Sequence, residues 1–397
     1  MTKEDFNKFV ESEGQRHKKP LGFGICRVDL SQNSKNKDRK VLQATYPILN
    51  WEGENLGSYA VLCCVAKKEI AKCDSEAIYA VDSEFVAEAL KLFEPFLAES
   101  LSEPQSHKNI QVLLELQKMP NLDCKSNPFR FVVLYEDTNA KSVEVAYMKL
   151  LALSLGKAKL RSLVLDGIFG LLENVAWSGN IPYELSYLRE NEISLKLSGK
   201  FPAIDFVDKF PRYLMQVIPQ YDNIRLLDTA KTRFGAYLGN GGYTQMPGAS
   251  YVNFNAGVEG TCMNEGRISS SVIIGNGTDV GGGASILGVL SGGNSNPISI
   301  GENCLLGVNS ATGISLGDGC IVDGGIAVLA GTIFYIDESE AQKIKEINNS
   351  FEIKADCLYK GRELSGKNGI HFRMDSKNGR MTAFRSKVKI ELNKDLH

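Results

Sequence analysis

The chain has 397 residues and near-cancelling charge, 45 Lys and Arg against 47 Asp and Glu. This is room for two or three domains, and it excludes a global field that would draw the protein to nucleic acid or membrane. With no run of 18 apolar residues and a polar start, MTKEDFNKFVESEG, neither a membrane span nor a signal peptide is expected, and the compartment reads as cytoplasmic.

The nine cysteines are scattered without a CxxC pair, so reduced, mostly buried thiols are expected rather than zinc or redox chemistry. Residues 1–225 mix helical and strand patterns and read as an α/β N-terminal domain. In SEFVAEALKLFEPFLAE (83–99), Val86, Leu90, Phe93 and Leu97 share a helical face, with Pro95 expected to kink it. FRFVVLYE (129–136) reads as a buried strand, and the chain turns helical from Ser142, with Val143, Tyr147 and Leu150 aligned. LDGIFGLLENVAW (165–177) predicts a helix with Ile168, Leu171, Leu172 and Val175 on one face behind Asp166 as N-cap.

From about residue 226 the composition changes: 24 of the 38 glycines lie between Gly235 and Gly331. Ile268, Ile274, Val280 and Ile286 recur every six residues, Ile300 and Leu306 continue the pattern, and Leu316, Val322 and Val328 resume it. Such a period predicts a left-handed parallel β-helix of hexapeptide repeats over 226–334, aliphatic inside and glycine at the corners. Between Arg267 and Lys343 there is no lysine, arginine or histidine. That absence suits faces buried in an oligomer. Residues 335–350 predict a polar helix or linker. The tail to 397 predicts a short β segment, IHFRMD and MTAFRS joined through an Asn378-Gly379 turn. From residue 341 onward 13 basic residues face 7 acidic ones, either a solvated surface or a grip for a polyanion.

No histidine falls in the coil, so any base there is a carboxylate: Asp228, Glu259, Glu265, Asp279, Glu302, Asp318 or Asp323. Asp279 and Asp318 read as corner residues, where aspartate forms turns, and Glu302 as a solvated corner. Glu265 stands two residues from Arg267, and in a strand both would project to one side. Two readings stay open: a structural ion pair, or a general base beside an anion anchor.

MNEGRISSSVIIGNGTDVGGGAS (263–285), with YVNFNAG before it and LSGG (290–293), ISIGENCLLG, GISLGDGC and LAGT after it, resembles the larger form of tetrahydrodipicolinate N-succinyltransferases. LDGIFGLLENVAW and GRELSG (361–366) match as well, so the resemblance runs from about residue 130 onward. It implies a homotrimer with active sites between neighbouring β-helices, taking succinyl-CoA as co-substrate, with no prosthetic group. The reaction implied is succinyl transfer to ring-opened tetrahydrodipicolinate, on the diaminopimelate route to lysine. The family's catalytic glutamate falls on Glu265, as base for the amine or as a carboxylate forming an acyl anhydride; the base is preferred here. Donor contacts carry over to Arg267, Gly282, Ser285, Val308, Asp323, Gly324, Gly331, Lys360, Arg373, Met374, Asp375 and Ser376. Asp323 stands where glutamate is commoner and Val308 where alanine is. QMPGAS (245–250) lacks the acidic residues that hold an axial metal in some relatives, so no metal is expected. Asn253 and Asn255 are candidates for the acceptor dicarboxylate. The rival readings are a related N-acetyltransferase, which would not need Arg267, and a non-catalytic trimeric scaffold. A sugar-nucleotide transferase is rejected, because GFGICRVDLSQ (22–32) makes a poor nucleotide loop.

Overall fold

The computed structural model describes residues 1–397 except 34–38, 67–74, 104, 121, 125, 289–295, 389 and 393–397. Cys73, the LSGG motif and His397 lie outside the described residues. The chain forms two compact units, Met1–Ala152 with Leu163–Pro211, and Leu153–Ser162 with Arg212–His397. Among the described residues no helix is long and apolar enough to cross a membrane.

The first unit is built on an antiparallel sheet. Gly22–Leu30 lies between Val41–Thr45 and Phe129–Leu134, and Glu76–Ala80 pairs beyond the latter. Alternation sends Phe131 and Val133 to one side, into a core with Phe85, Val86, Ala89, Leu90 and Leu113. The helix Val143–Ser154 is buried all round from Val145 to Leu153, and the Tyr46 hydroxyl donates to the Glu144 carbonyl at 2.8 Å. Pro95 does more than kink its helix. Ser83–Leu92 ends, a 3₁₀ turn covers Glu94–Phe96, and Leu97–Ser102 starts a new helix, since proline has no N–H to continue the ladder.

The helix expected over 165–177 is a single turn, Ile168–Leu171, with Gly167 (φ +79°) rather than Asp166 as its N-cap. One turn returns too few hydrogen bonds to offset nucleation. Val175–Ser178 instead pairs antiparallel with both Ile181–Glu184 and Phe206–Asp208. Trp177 is fully buried there, and its indole N–H donates to the Asp208 carbonyl at 3.0 Å.

The second unit is a parallel β-helix with three faces. Face one stacks Ile224–Leu226, Tyr243–Gln245, Cys262–Asn264, Thr278–Val280, Leu305–Leu306 and Ile321–Val322. Face two stacks Tyr251–Val252, Arg267–Ile268, Ser285–Ile286, Ala311–Thr312 and Ala327–Val328. Face three stacks Tyr237–Leu238, Gly257–Val258, Ile273–Ile274 and Ser299–Ile300, the last bridged to Leu316. The six-residue series is the inward set. Ile268, Ile274, Val280, Ile286, Leu306, Val322 and Val328 are all inaccessible to solvent. Thr312, which the aliphatic pattern skips, holds the inward place between Ile286 and Val328, so the shortened step falls after it, from 312 to 316. Its hydroxyl donates to the Ile314 carbonyl at 2.9 Å.

The tail belongs to this unit. Ile370–Asp375 runs antiparallel to Arg380–Arg385 and parallel to Ile321–Val322, so it extends face one. The polar helix expected near 335–350 is Glu338–Ile347, N-capped by Asp337. Leu358–Lys360 pairs antiparallel with Ile333–Tyr335.

Candidate active site

The corner between faces one and two is not the same in every coil. In the coils through Val280, Leu306 and Val322 it is a four-residue turn closed by a hydrogen bond in two of them, Ala284 N to Gly281 O at 2.9 Å and Ser310 N to Gly307 O at 3.0 Å. The third residue of each turn, Gly283, Asn309 or Gly325, has positive φ, as a type II turn requires. The second residue is Gly282, Val308 or Gly324, and these three stack along the edge: Asn309 N donates to Gly282 O at 2.9 Å and Gly325 N to Val308 O at 2.8 Å.

One coil earlier the chain passes from Asn264 to Arg267 through only Glu265 and Gly266. Inward-facing Asn264 shapes this tighter corner. Its side-chain oxygen accepts from Gly266 N at 3.0 Å and its amide donates to the Tyr243 hydroxyl at 3.1 Å. Gly266 is obligatory, because a Cβ there would sit 2.4 Å from the Ala284 carbonyl oxygen. The two missing residues leave a step in the edge, and half-buried Glu265 projects over it. A Cβ placed on Gly282 would lie 3.7 Å from Glu265 Oε2 and 3.4 Å from Val308 Cγ2.

Two expectations are corrected here. Glu265 and Arg267 do not share a strand: the corner falls between them, Arg267 opens face two, and no ion pair joins them among the described residues. The reading of a structural ion pair falls with that. Asp279 is not a corner residue either. It is mid-strand on face one, in register with Met263 and Leu305, because Val280 must point inward. Burial first, and then the negative Glu265, push its carboxyl above the ordinary value. Asp318 is at a corner as expected, its carboxylate accepting from Glu302 N at 2.8 Å.

Arg267 is exposed, and Ser285, Ala311 and Ala327 follow it down face two. Asp323 stands at the foot of the edge that carries Glu265, its N–H donating to the Phe372 carbonyl at 3.0 Å. Its Oδ2 is 2.6 Å from Arg373 Nε and its Oδ1 2.6 Å from His371 Nε2. Met374 is exposed, and Asp375 is bound to the hairpin turn, accepting from Lys377 N at 2.9 Å and Asn378 Nδ2 at 2.8 Å; Ser376 is exposed in the same turn. Gly331 and Lys360 lie at the other edge of face two, where Gly361 N donates to Thr332 O at 2.8 Å and Arg362 N to Ala330 O at 3.0 Å. The carried-over residues thus fall on two edges with face two between them.

Asn253 and Asn255 have structural partners: Asn253 Oδ1 is 3.2 Å from Arg233 Nη1, and Asn255 Oδ1 accepts from Arg161 N at 2.8 Å. Sequence reasoning passed over His371, although the alternation of IHFRMD already puts His371 and Arg373 on one side of a strand. Among the described residues no three His, Cys, Asp or Glu side chains converge as a metal site would require.

Comparison with known proteins gives the same outline. Residues 4–170 match the N-terminal domain model of tetrahydrodipicolinate N-succinyltransferase, 172–212 its middle domain, and 297–330 the hexapeptide repeat of succinyl-transferases. A 2,3,4,5-tetrahydropyridine-2,6-dicarboxylate N-succinyltransferase of Helicobacter pylori is 62% identical over 99% of both chains. One of Nitratiruptor is 53% identical over 100% of this chain and 99% of its own. A crystal structure from Campylobacter jejuni, assigned as a 2,3,4,5-tetrahydropyridine-2-carboxylate N-succinyltransferase, superposes with a TM-score of 0.90 at 49% identity, covering 98% of this chain and 99% of that one. Through these matches, which run nearly end to end, the chain belongs to the tetrahydrodipicolinate N-succinyltransferase family.

Proposed function

We propose that the protein transfers succinyl from succinyl-CoA to the amino group of ring-opened tetrahydrodipicolinate, giving N-succinyl-2-amino-6-oxopimelate for the diaminopimelate route to lysine. The observation that carries this for the site is the step at Glu265. A carboxylate that has no ion-pair partner among the described residues stands over a glycine, at the head of an edge that ends in the Asp323–Arg373 pair.

The amine nitrogen attacks the thioester carbonyl carbon, and Glu265 takes the proton that the nitrogen gives up as the C–N bond forms. The tetrahedral adduct then collapses, the C–S bond breaks with its electron pair on sulfur, and the thiolate takes up a proton. Arg267 holds the succinyl carboxylate, the role a guanidinium performs better than an ammonium. Gly282, Val308 and Gly324 let the donor's arm lie along the edge, Ser285 flanks it on face two, and Asp323 supports Arg373. Arg373, Met374, Asp375 and Ser376 take one end of the donor, while Gly331 and Lys360 contribute from the other edge.

The working unit is a homotrimer in the cytoplasm, with each site between neighbouring β-helices. The cation-free run from Ile268 to Gln342 supports this, since faces against another copy need no solvated lysines. Light scattering should give three times 43.5 kDa. The deciding experiment follows thiol release from succinyl-CoA with and without tetrahydrodipicolinate, with acetyl-CoA alongside. Release that needs the dicarboxylate and favours succinyl-CoA is expected. Equal use of acetyl-CoA would overturn the donor, and no release with either would overturn the enzyme.

A further inference from the structure

Arg373 is held unusually well for an exposed arginine. Its side chain is 50% exposed, yet its Nε is fixed at 2.6 Å by Asp323 Oδ2. Its guanidinium also lies over the Phe384 ring, 5.5 Å from the centroid. Among the described residues no other hydrogen bond engages it, so Nη1 and Nη2 stay free to bind. The other oxygen of Asp323 is taken by His371 Nε2, also at 2.6 Å. His371 is 7% exposed and sits on the same Phe384, its cross-strand partner, with ring centroids 4.6 Å apart. Asp323 therefore has both oxygens committed and Phe384 supports both of their partners. Burial pushes the Asp323 carboxyl up, but the hydrogen bonds from His371 and Arg373 and the adjacent guanidinium charge outweigh it and hold the group below its ordinary range.

A guanidinium bound through Nε presents its two terminal nitrogens as a fork, the geometry that suits a phosphate. In a side chain with a single anchor, rotation would blur that fork. Here the carboxylate that anchors it is itself prevented from rotating, by a buried imidazole. We propose that His371 is a positioning residue for the phosphates of the donor: by clamping Asp323 it fixes the plane in which Arg373 meets a phosphate of the coenzyme A moiety. His371 itself touches neither donor nor acceptor. The inference rests on the reading above that succinyl-CoA is the donor.

Two donors separate this role from a purely structural one, succinyl-CoA and S-succinyl-pantetheine, which carries the same thioester without any phosphate. His371→Leu keeps the side chain apolar and removes the bond to Asp323. It is expected to raise the KM for succinyl-CoA on the order of tenfold, the worth of roughly one charge-assisted hydrogen bond. The KM for S-succinyl-pantetheine and the kcat with either donor should stay within about twofold of the parent. His371→Gln, which can still donate toward Asp323, should recover most of the loss.

Equal losses with both donors, or no change in the KM for succinyl-CoA, would overturn the inference while leaving the enzyme assignment intact. A parent enzyme that uses neither donor would overturn the assignment and this inference with it. Should His371→Leu fail to fold, His371→Phe, which keeps an aromatic ring against Phe384 but cannot donate to Asp323, must show the same selective rise in KM for succinyl-CoA, and a non-selective effect there would equally overturn the proposal.

Discussion

Gly282→Ala separates catalysis from folding. Gly282 is the second residue of its corner turn, and its φ is not positive, unlike that of Gly283 beside it at +72°. The new methyl meets Val308 Cγ2 at 3.4 Å and Glu265 Oε2 at 3.7 Å, both ordinary contacts. The fold should accept it. A Gly→Ala change at a compatible position stabilises by about 0.4–1 kcal/mol, through the narrower unfolded ensemble, so the melting temperature should be no lower than the parent's. The methyl does, however, fill the space directly below the carboxylate. A base must come within about 2.6–3.2 Å of the nitrogen whose proton it takes, and a displacement of about 1 Å costs on the order of 10²-fold. Thiol release from succinyl-CoA in the presence of tetrahydrodipicolinate should therefore fall by about two orders of magnitude in a protein that melts normally. Gly266→Ala is the contrast, since its Cβ would collide with the Ala284 carbonyl at 2.4 Å and should damage folding itself. A Gly282→Ala protein with parental kcat/KM would refute the placing of the reaction at this step.

Glu265→Gln should lower kcat by about 10²–10⁴-fold with the fold intact, read by the same thiol assay; parental turnover would leave Glu265 without a role in proton transfer. Arg267→Leu should cost far more with succinyl-CoA than with acetyl-CoA, and equal losses would remove the guanidinium from the succinyl carboxylate. Asp279 carries a raised carboxyl pKa. Its folded form therefore binds more protons than its unfolded form, and stability falls as pH rises from the ordinary value of 3.8 through the raised one. Asp279→Asn removes that loss, so the variant should melt above the parent at pH 7, with the gap closing toward pH 4; a lower melting point at pH 7 would contradict this.

What could be read from the sequence follows from how local each cause is. The six-residue series was legible because an inward place must be filled by one side chain per face, and aliphatics announce it. Asn264 and Thr312 hold the same inward rank but are polar, so the aliphatic series breaks off where the inward column only changes chemistry. That concealed the tight corner and placed Glu265 and Arg267 wrongly on one strand. The helix expected over 165–177 failed for the opposite reason. Its apolar spacing fits a helix, but the strand partners that claim Val175–Ser178 lie at 181–184 and 206–208, beyond any local window. The hairpin around Asn378-Gly379 was legible because a turn is a local event. Its docking against Ile321–Val322, which brings His371 and Arg373 to Asp323, is a contact across 48 and 50 residues.

The strand Ile370–Asp375 has one more consequence. A stack of parallel coils ends in a row of unpaired backbone N–H and C=O groups, a template on which another chain can add strands. On face one that row belongs to Ile321–Val322, and Ile370–Asp375 occupies it with its antiparallel mate Arg380–Arg385 on the far side. The segment that brings Arg373 to Asp323 is therefore also the plug that keeps the solenoid from growing end to end into a fibre.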